Sequence, residues 1–423
     1  MEPEPAEIRP PGRLRGLALD LGPLRRHAAF RRLFVGQTVS TLGSEIAAVA
    51  APYQLYQLTH STLQVGLLSI CELVPLLTLT LAGGAIADAF DRRLIALRTE
   101  VALAAVAALF AANAALPHPR IWAIYVLVTI AMGLFSLGVA SMRTVVPRLV
   151  AEDELLAANA IEAVYSSTTS VAGPALAGLL IAGLGLTGAY ALDAVTFLAS
   201  IWSVYRLPPL PPLHAAARPS LRSVAEAFRF VRRTKALLGQ FLVDSNAMVF
   251  GMPRALFPAL AVGRFHAGAT VVGLLFAAPY AGALAASLLS GPLARIARQG
   301  LWIAVAAALW GAAIAGFGLA RPLWLALLLL AAAGAADNVS AVLRSTILFT
   351  VTPDELRGRL IGIEFAQVAS TPALGNLEAG VVASLTSVRF SIVSGGLACI
   401  AGTIVVALLV PALIRYDARD SHR

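Results

Sequence analysis

Residues 84–93 read Gly84-Ala85-Ile86-Ala87-Asp88-Ala89-Phe90-Asp91-Arg92-Arg93, a charged decapeptide set between two long apolar stretches. A worn copy begins half a chain later at Gly291, where Arg295 stands in the place of Asp88 and a basic position persists as Arg298. The same displacement carries Val65-Gly66-Leu67-Leu68 onto Val272-Gly273-Leu274-Leu275. A short polar hinge repeated at half-chain spacing predicts two packed helical bundles that move against each other. Transport is therefore the first function to consider.

Composition points the same way. The 423 residues are 58% hydrophobic and 13% charged, with a mean hydropathy of +0.80. A soluble protein of ordinary usage has about 25% charged residues. Apolar windows of about 20 residues, the length that crosses a hydrocarbon core, recur along nearly the whole chain. Each must be helical, because lipid offers no partner for unpaired backbone groups. The net charge is +9, and Lys235 is the only lysine beside the arginines. Those arginines crowd into alternate loops, which is the signature of membrane topology rather than of nucleic-acid binding. Cys71 and Cys399 both fall inside apolar spans, so neither a disulfide framework nor a thiolate metal site is indicated.

Twelve spans are expected, at 33–57, 64–87, 94–116, 121–142, 161–184 and 188–207, then 236–261, 270–294, 301–319, 322–343, 360–385 and 390–414. The units read as a cytosolic tail (1–32), a first six-helix bundle (33–207), a cytoplasmic linker (208–235), a second bundle (236–414) and a cytosolic tail (415–423). Within the linker, Ser220 to Lys235 has apolar residues at helical spacing and is expected to lie along the inner leaflet. The basic residues Arg92, Arg93, Arg143, Arg148, Arg295, Arg298, Arg357 and Arg359 all fall on the side of the termini, which places both termini in the cytoplasm. The loops repeat as well: Arg143 to Leu155 aligns without gaps on Arg344 to Leu356, and Pro174-Ala175-Leu176 matches Pro372-Ala373-Leu374. Parallel six-helix repeats around a central cleft are a known transporter architecture, with sites near the midplane.

On these residues the chain resembles the major facilitator superfamily over its full length. That family's loop between helices two and three reads G-x-x-x-D-[RK]-x-G-[RK]-[RK]. Gly84, Asp88, Arg92 and Arg93 match it, whereas Ala89 replaces a basic residue and Asp91 replaces the second glycine. The resemblance implies an all-α membrane protein with twelve helices in two pseudo-symmetric bundles, and it casts Asp88 as a gate residue engaging helix eleven. The segments Leu58–Leu67, Arg254–Leu260, Ala157–Ile161 and Gly173–Gly178 look like the enterobactin exporter branch, which is similar in turn to macrolide-efflux members. This implies proton-driven export of a siderophore or another amphipathic small molecule across the inner membrane. Two departures stand out. Residues 121–138 lack the arginine that many drug–proton antiporters carry in helix four, and Thr169 stands where an earlier helix-five glycine is expected.

The candidate site residues follow from their positions. Gly84, Asp88, Asp91, Arg92, Arg93, Gly291, Arg295 and Arg298 form the two gating hinges. Glu45, near the centre of the first span, and Asp244, in the seventh, are the proton-coupling candidates, because a mid-bilayer charge costs at least about 2.5–3.5 kcal/mol and persists when paired, neutralised or facing water. A carboxyl that only ties two helices together is the competing reading. Arg254, Asn246, Tyr53 and Tyr280 are the substrate-binding candidates. Gly173, Pro174 and Pro372 are candidate hinges, since proline removes an intrahelical bond. Arg143 and Arg344 are expected to pair with acids in the loops Glu152–Glu154 and Asp354–Glu355.

No phosphate-cradling G-x-x-x-x-G-K-[ST] segment occurs, which disfavours an ATP-driven pump. His60, His118 and His266 are solitary, so no metal site and no cofactor are expected. The expected partners are a small molecule, protons and the bilayer, with the chain acting as a monomer. A multidrug or macrolide pump is the rival reading, and a non-transporting sensor or scaffold is the rival of another class.

Overall fold

The computed structural model describes residues 20–89, 91–142, 145–208, 221–291, 293 and 296–417. Among these there is no β-strand. The first half contains α1 (Ala28–Thr59), α2 (Thr62–Ala89), α3 (Arg92–Ala114) and α4 (Ile121–Met142). A single helical stretch, Leu155–Tyr205, follows. It breaks at Gly185, whose φ of 69° and ψ of 174° suit glycine and no helix. Its arms, 155–184 (α5) and 186–205 (α6), are two spans.

The second half opens with α7 (Leu221–Arg233) and continues through α8 (Lys235–Phe250), α9 (Phe257–Gly263), α10 (Ala269–Leu288), α11 (Gln299–Leu319), α12 (Leu323–Val351), α13 (Asp354–Leu385) and α14 (Val388–Leu409). Among the described residues, nine helices are long and apolar enough to cross a bilayer, the α5–α6 stretch counting once. The discontinuous α8–α9 pair and the charge-bearing α13 complete the twelve. On α7, Ala227 and Val231 are buried one turn apart while Arg229, Arg232 and Arg233 are exposed, the pattern of a surface amphipathic helix.

The seventh span departs from expectation. An unbroken helix over 236–261 is replaced by α8, a 3-10 turn at Arg254–Leu256, and α9. Gly251 and Pro253 explain the break, since proline supplies no N–H and clashes with the preceding turn. A broken helix inside a membrane must have its freed backbone groups satisfied. Trp310 Nε1 donates to the Gly251 carbonyl at 3.1 Å, and the Ala255 N–H donates to Asn376 Oδ1 at 3.1 Å.

Within the bundles, aromatic rings fill the centre. Tyr190 is fully buried and stacks on Phe110 with ring centroids 5.0 Å apart, while its hydroxyl donates to Gln54 Oε1 at 3.0 Å. In the second half Phe257 meets Phe276 and Phe317 edge-on at 5.1 and 6.0 Å. At the terminal face, Glu154 accepts from Arg26 at 2.8 Å and from His27 Nε2 at 2.5 Å. The expected partner Arg143 lies outside the described residues.

The bundles meet along α2 with α13 and α5 with α10. Both seams are glycine on glycine. A Cβ on Gly66 would lie 3.3 Å from Gly380 Cα, and a Cβ on Gly178 would lie 3.0 Å from Gly273 Cα. Thr62 Oγ1 donates across the first seam to the Gly380 carbonyl at 3.1 Å. Gly66 and Gly273 are equivalent in the internal repeat, so each half makes the same contact once. Both lie one turn inside helices that begin at the face opposite the termini, and the bundles are clasped there. Further along α13, toward the terminal face, a Cβ on Gly358 or Gly362 would meet nothing within 4 Å.

Candidate functional site

Arg254 projects from the 3-10 turn in the break of the seventh span, on a backbone anchored by Trp310 and Asn376. Its guanidinium lies over the Tyr280 ring, 5.0 Å from the centroid, within cation–π range. Its charge acts on Glu45 of α1, Glu72 of α2 and Asp337 of α12. Among the described residues it forms no ion pair. A cation of the second half is thus within electrostatic reach of two carboxyls of the first half and one of its own.

Those carboxyls converge further. Glu45, Glu72 and Asp193, from α1, α2 and α6, line one cavity of about 370 Å³ whose remaining walls include Val106, Phe110 and Phe135. This is the low end of the roughly 300–1,000 Å³ of small-molecule sites. Asp193 is 2% exposed, and its Oδ1 has no hydrogen-bond partner. The Glu45 side chain lies against Gly173 of α5, where an added Cβ would come within 2.8 Å of the glutamate Cβ. Gly173 therefore makes room for Glu45. The helices α5 and α13 continue through Pro174 and Pro372. Tyr53 is buried on α1, with its hydroxyl directed at Gly268, where α10 begins.

Asp244 has a different setting. It is ion-paired with Arg344 of α12, and Asp337 lies 3.9 Å from the same guanidinium. Gln367 of α13 donates to Asp244 Oδ2 at 3.0 Å. The side chains of Asp244 and Arg344 are 5% and 12% exposed, against 38% for Asp337. Arg344 was expected in a loop beyond a span ending at 343, paired near Asp354. Instead α12 runs to Val351 and carries Arg344 inward, while Asp354 pairs with Arg357 at 2.8 Å. Asn246 does not join Asp244. It donates to the Cys399 carbonyl at 2.8 Å and to Thr403 Oγ1 at 3.3 Å, and so binds α8 to α14.

A profile of the transmembrane secretion effector family, one of the major facilitator families, matches residues 18–422. The chain belongs to this family. Enterobactin exporter EntS of Citrobacter koseri is 34% identical over 399 residues, covering 94% of each chain. Its Escherichia coli namesake is 34% identical over 400 residues, 93% of this chain and 94% of its own. A POT family transporter in complex with 5-aminolevulinic acid superposes with a TM-score of 0.74 at 11% identity, over 92% of this chain and 97% of the other. A bacterial homologue of the iron transporter ferroportin gives 0.70 at 16% identity, over 92% and 99%. The last two likenesses are of fold. As a major facilitator protein the chain is a multi-pass inner-membrane secondary transporter and not an enzyme.

The family's gating loop is only partly visible. The backbone of Gly84 and Asp88 lies in the closing turns of α2, their side chains fall outside the described residues, and Arg295 does too. Asp91, which replaces a family glycine, N-caps α3 by accepting from the Arg93 N–H at 2.9 Å. Arg93 donates to the Tyr205 carbonyl and lies over the Tyr205 ring at 5.6 Å, tying α3 to the end of α6. Arg92 is buried at 5% exposure. In the second copy, Gly291 faces open space and Arg298 occupies the N-cap position of α11 without a side-chain cap bond. Trp310, Asn376 and Gln367 carry no motif of their own in the sequence. Gly251 followed by Pro253 was the available signal for a break needing such partners.

Proposed function

We propose that this transporter exports a hydroxyl-rich amphipathic molecule of the siderophore type in exchange for protons, by alternating access. The observation that carries this reading is the convergence of Glu45, Glu72 and Asp193 on one cavity, with Arg254 beyond it. Exchange requires cargo and proton to exclude each other, because coupling between two bound species is reciprocal. An anionic cargo beside these carboxyls would favour their protonation and so bind together with protons. A neutral cargo bearing phenolic O–H groups donates to the ionised carboxylates and competes with the proton for the same oxygens. Arg254 holds the ionised state between the two events, itself steadied over the Tyr280 ring. The name borne by the 34%-identical relatives, enterobactin exporter, supports a siderophore cargo.

In this proposal the terminal face is cytoplasmic, on the distribution of arginines, and the glycine seams close the outer side. The cleft then loads from the cytoplasm. The working units are the bundles 33–207 and 236–414, flanked by the tails 1–32 and 415–423 and joined by 208–235, and the chain acts as a monomer. Asp88 gates the inner side, and Asp244, locked to Arg344, has a structural role. The apolar walls around Val106, Phe110 and Phe135 favour one alternative cargo, a macrolide-like molecule.

Purified protein in liposomes carrying a pH gradient tests the proposal, with iron-free enterobactin and a macrolide as the two cargoes. Enterobactin flux should follow the gradient, and Glu45→Gln should abolish that dependence while exchange at equal pH continues. Gradient-driven flux of the macrolide alone would select the alternative. No flux of either cargo in folded protein would remove both.

A further inference from the structure

The face opposite the termini carries a second, unrelated concentration of charge. Among the described residues, its connecting loops contain no Asp or Glu. Arginines do occur there, in the connections and in the first turn of α14, contrary to the bias that keeps basic residues on the cytoplasmic side. Three of these meet where α9 and α11 end and α14 begins. Arg264 C-caps α9 and donates from Nη1 to the Gly318 carbonyl at 2.8 Å. Gly318 lies against Val393 of α14, one turn from Arg389. Arg321 follows in the α11–α12 connection. Arg264 is held below its ordinary pKa by burial first, then by the charges of Arg389 and Arg321, so both neighbours lie within electrostatic reach of Arg264.

An arginine crowded by two others, with no Asp or Glu in the described loops of this face, calls for an anion. Arginine stays charged and presents a planar fork of donors that fits phosphate oxygens two at a time. Helices α12 and α14 both begin here, which adds the partial positive charge of two N-termini. Around the cluster, Trp324, Phe390 and Leu319 are exposed by 65%, 55% and 50%. Of these, an exposed tryptophan such as Trp324 marks the level of lipid headgroups.

We infer that Arg264, Arg321 and Arg389 form a phosphate-binding site at the membrane boundary opposite the termini, distinct from the transport cleft. The two sources of that chemistry are an anionic phospholipid headgroup and free phosphate, and the exposed Trp324 favours the lipid. Occupancy would neutralise the cluster and tie the ends of α9, α11 and α14 together.

Trp324, three residues from Arg321, is a local reporter. The full-length protein is placed in mixed micelles with brominated phosphatidylglycerol or brominated phosphatidylcholine, and the quenching that disappears in Trp324→Phe is measured. Wild type should prefer phosphatidylglycerol by on the order of tenfold. Arg321→Ala/Arg389→Ala, both at exposed positions, should bring the ratio near one, and Arg321→Lys/Arg389→Lys should restore part of it. In the second arm inorganic phosphate is the probe. A thermal shift in wild type that is absent in the alanine pair, with no lipid preference, assigns the site to free phosphate. Equal quenching by the two lipids together with no phosphate-induced shift overturns the site, as does a preference unchanged in the alanine pair.

Discussion

Arg344 of α12 is ion-paired with Asp244 of α8 inside the second bundle, and both side chains are almost excluded from solvent. Gln367 adds a donor from α13, so three helices are joined at one carboxylate. Such a pair contributes little against an apolar pair of the same volume, because desolvation offsets the attraction. Removing one partner is a different matter, since it strands a buried charge.

Asp244→Asn and Arg344→Gln should therefore each destabilise the protein by about 3–5 kcal/mol. Asp244→Leu/Arg344→Met should recover most of that loss. Thermal unfolding in detergent reads both effects. A single variant as stable as wild type would show that the pair is not buried in the membrane-embedded protein.

The clasp between bundles leads to a second expectation. A Cβ on Gly380 would sit 2.6 Å from the Thr62 carbonyl oxygen, a backbone atom that cannot turn aside. Gly380→Val should wedge α2 from α13 and shift the population toward a state open at the face opposite the termini. Spin labels at Ser61→Cys and Thr386→Cys, with Cys71 and Cys399 replaced, report that distance. It should lengthen in the variant, and an unchanged distribution in folded protein would refute the wedge.

The sequence pattern made the fold legible because lipid allows so few solutions. Apolar windows must be helices, and the copy of Val65–Leu68 at Val272–Leu275 marked two related halves. It went further than expected, since Gly66 and Gly273 proved to be equivalent halves of the clasp. Local rules failed where tertiary partners decide. Nothing near Arg344 says that α12 continues for two more turns, because its stability there depends on Asp244, a hundred residues away in sequence. Asn246 stood beside an acid in the chain, yet a helix turn of 100° per residue points the two side chains at different neighbours. Glu45, Glu72 and Asp193 could each be marked as costly in lipid. That they share one cavity is a fact of packing.

Asp88 remains the gate residue of the proposal. Asp88→Asn keeps size and polarity but removes the charge that would meet a helix end, an interaction worth about 0.3–1 kcal/mol when exposed and up to about 2 when partly buried. Insertion and yield should hold while flux falls by about tenfold, on the relation of 1.4 kcal/mol per decade. Flux at the wild-type level would move gating away from Asp88.

The contact between Gly173 and Glu45 allows a double-mutant test of the cleft. Gly173→Ala inserts a methyl where the Glu45 side chain now lies, and α5 is pinned nearby by the packing of Pro174 and Gly178 on Gly273. Overpacking of this kind costs typically 1–3 kcal/mol when nothing can yield. Glu45 is the movable partner, so its carboxyl should be displaced and gradient-driven flux should fall. Glu45→Asp shortens the side chain by one methylene and should be impaired by itself, because the carboxyl no longer reaches its place. Aspartate keeps the Cβ and Cγ positions that the added methyl would meet at 2.8 and 2.5 Å, so it does not relieve the contact. Both changes displace the same carboxyl, and the double variant should lose less flux than the product of the two single defects. Liposome flux at matched protein loading gives the comparison. Strict additivity of the two defects would show that Gly173 does not position Glu45.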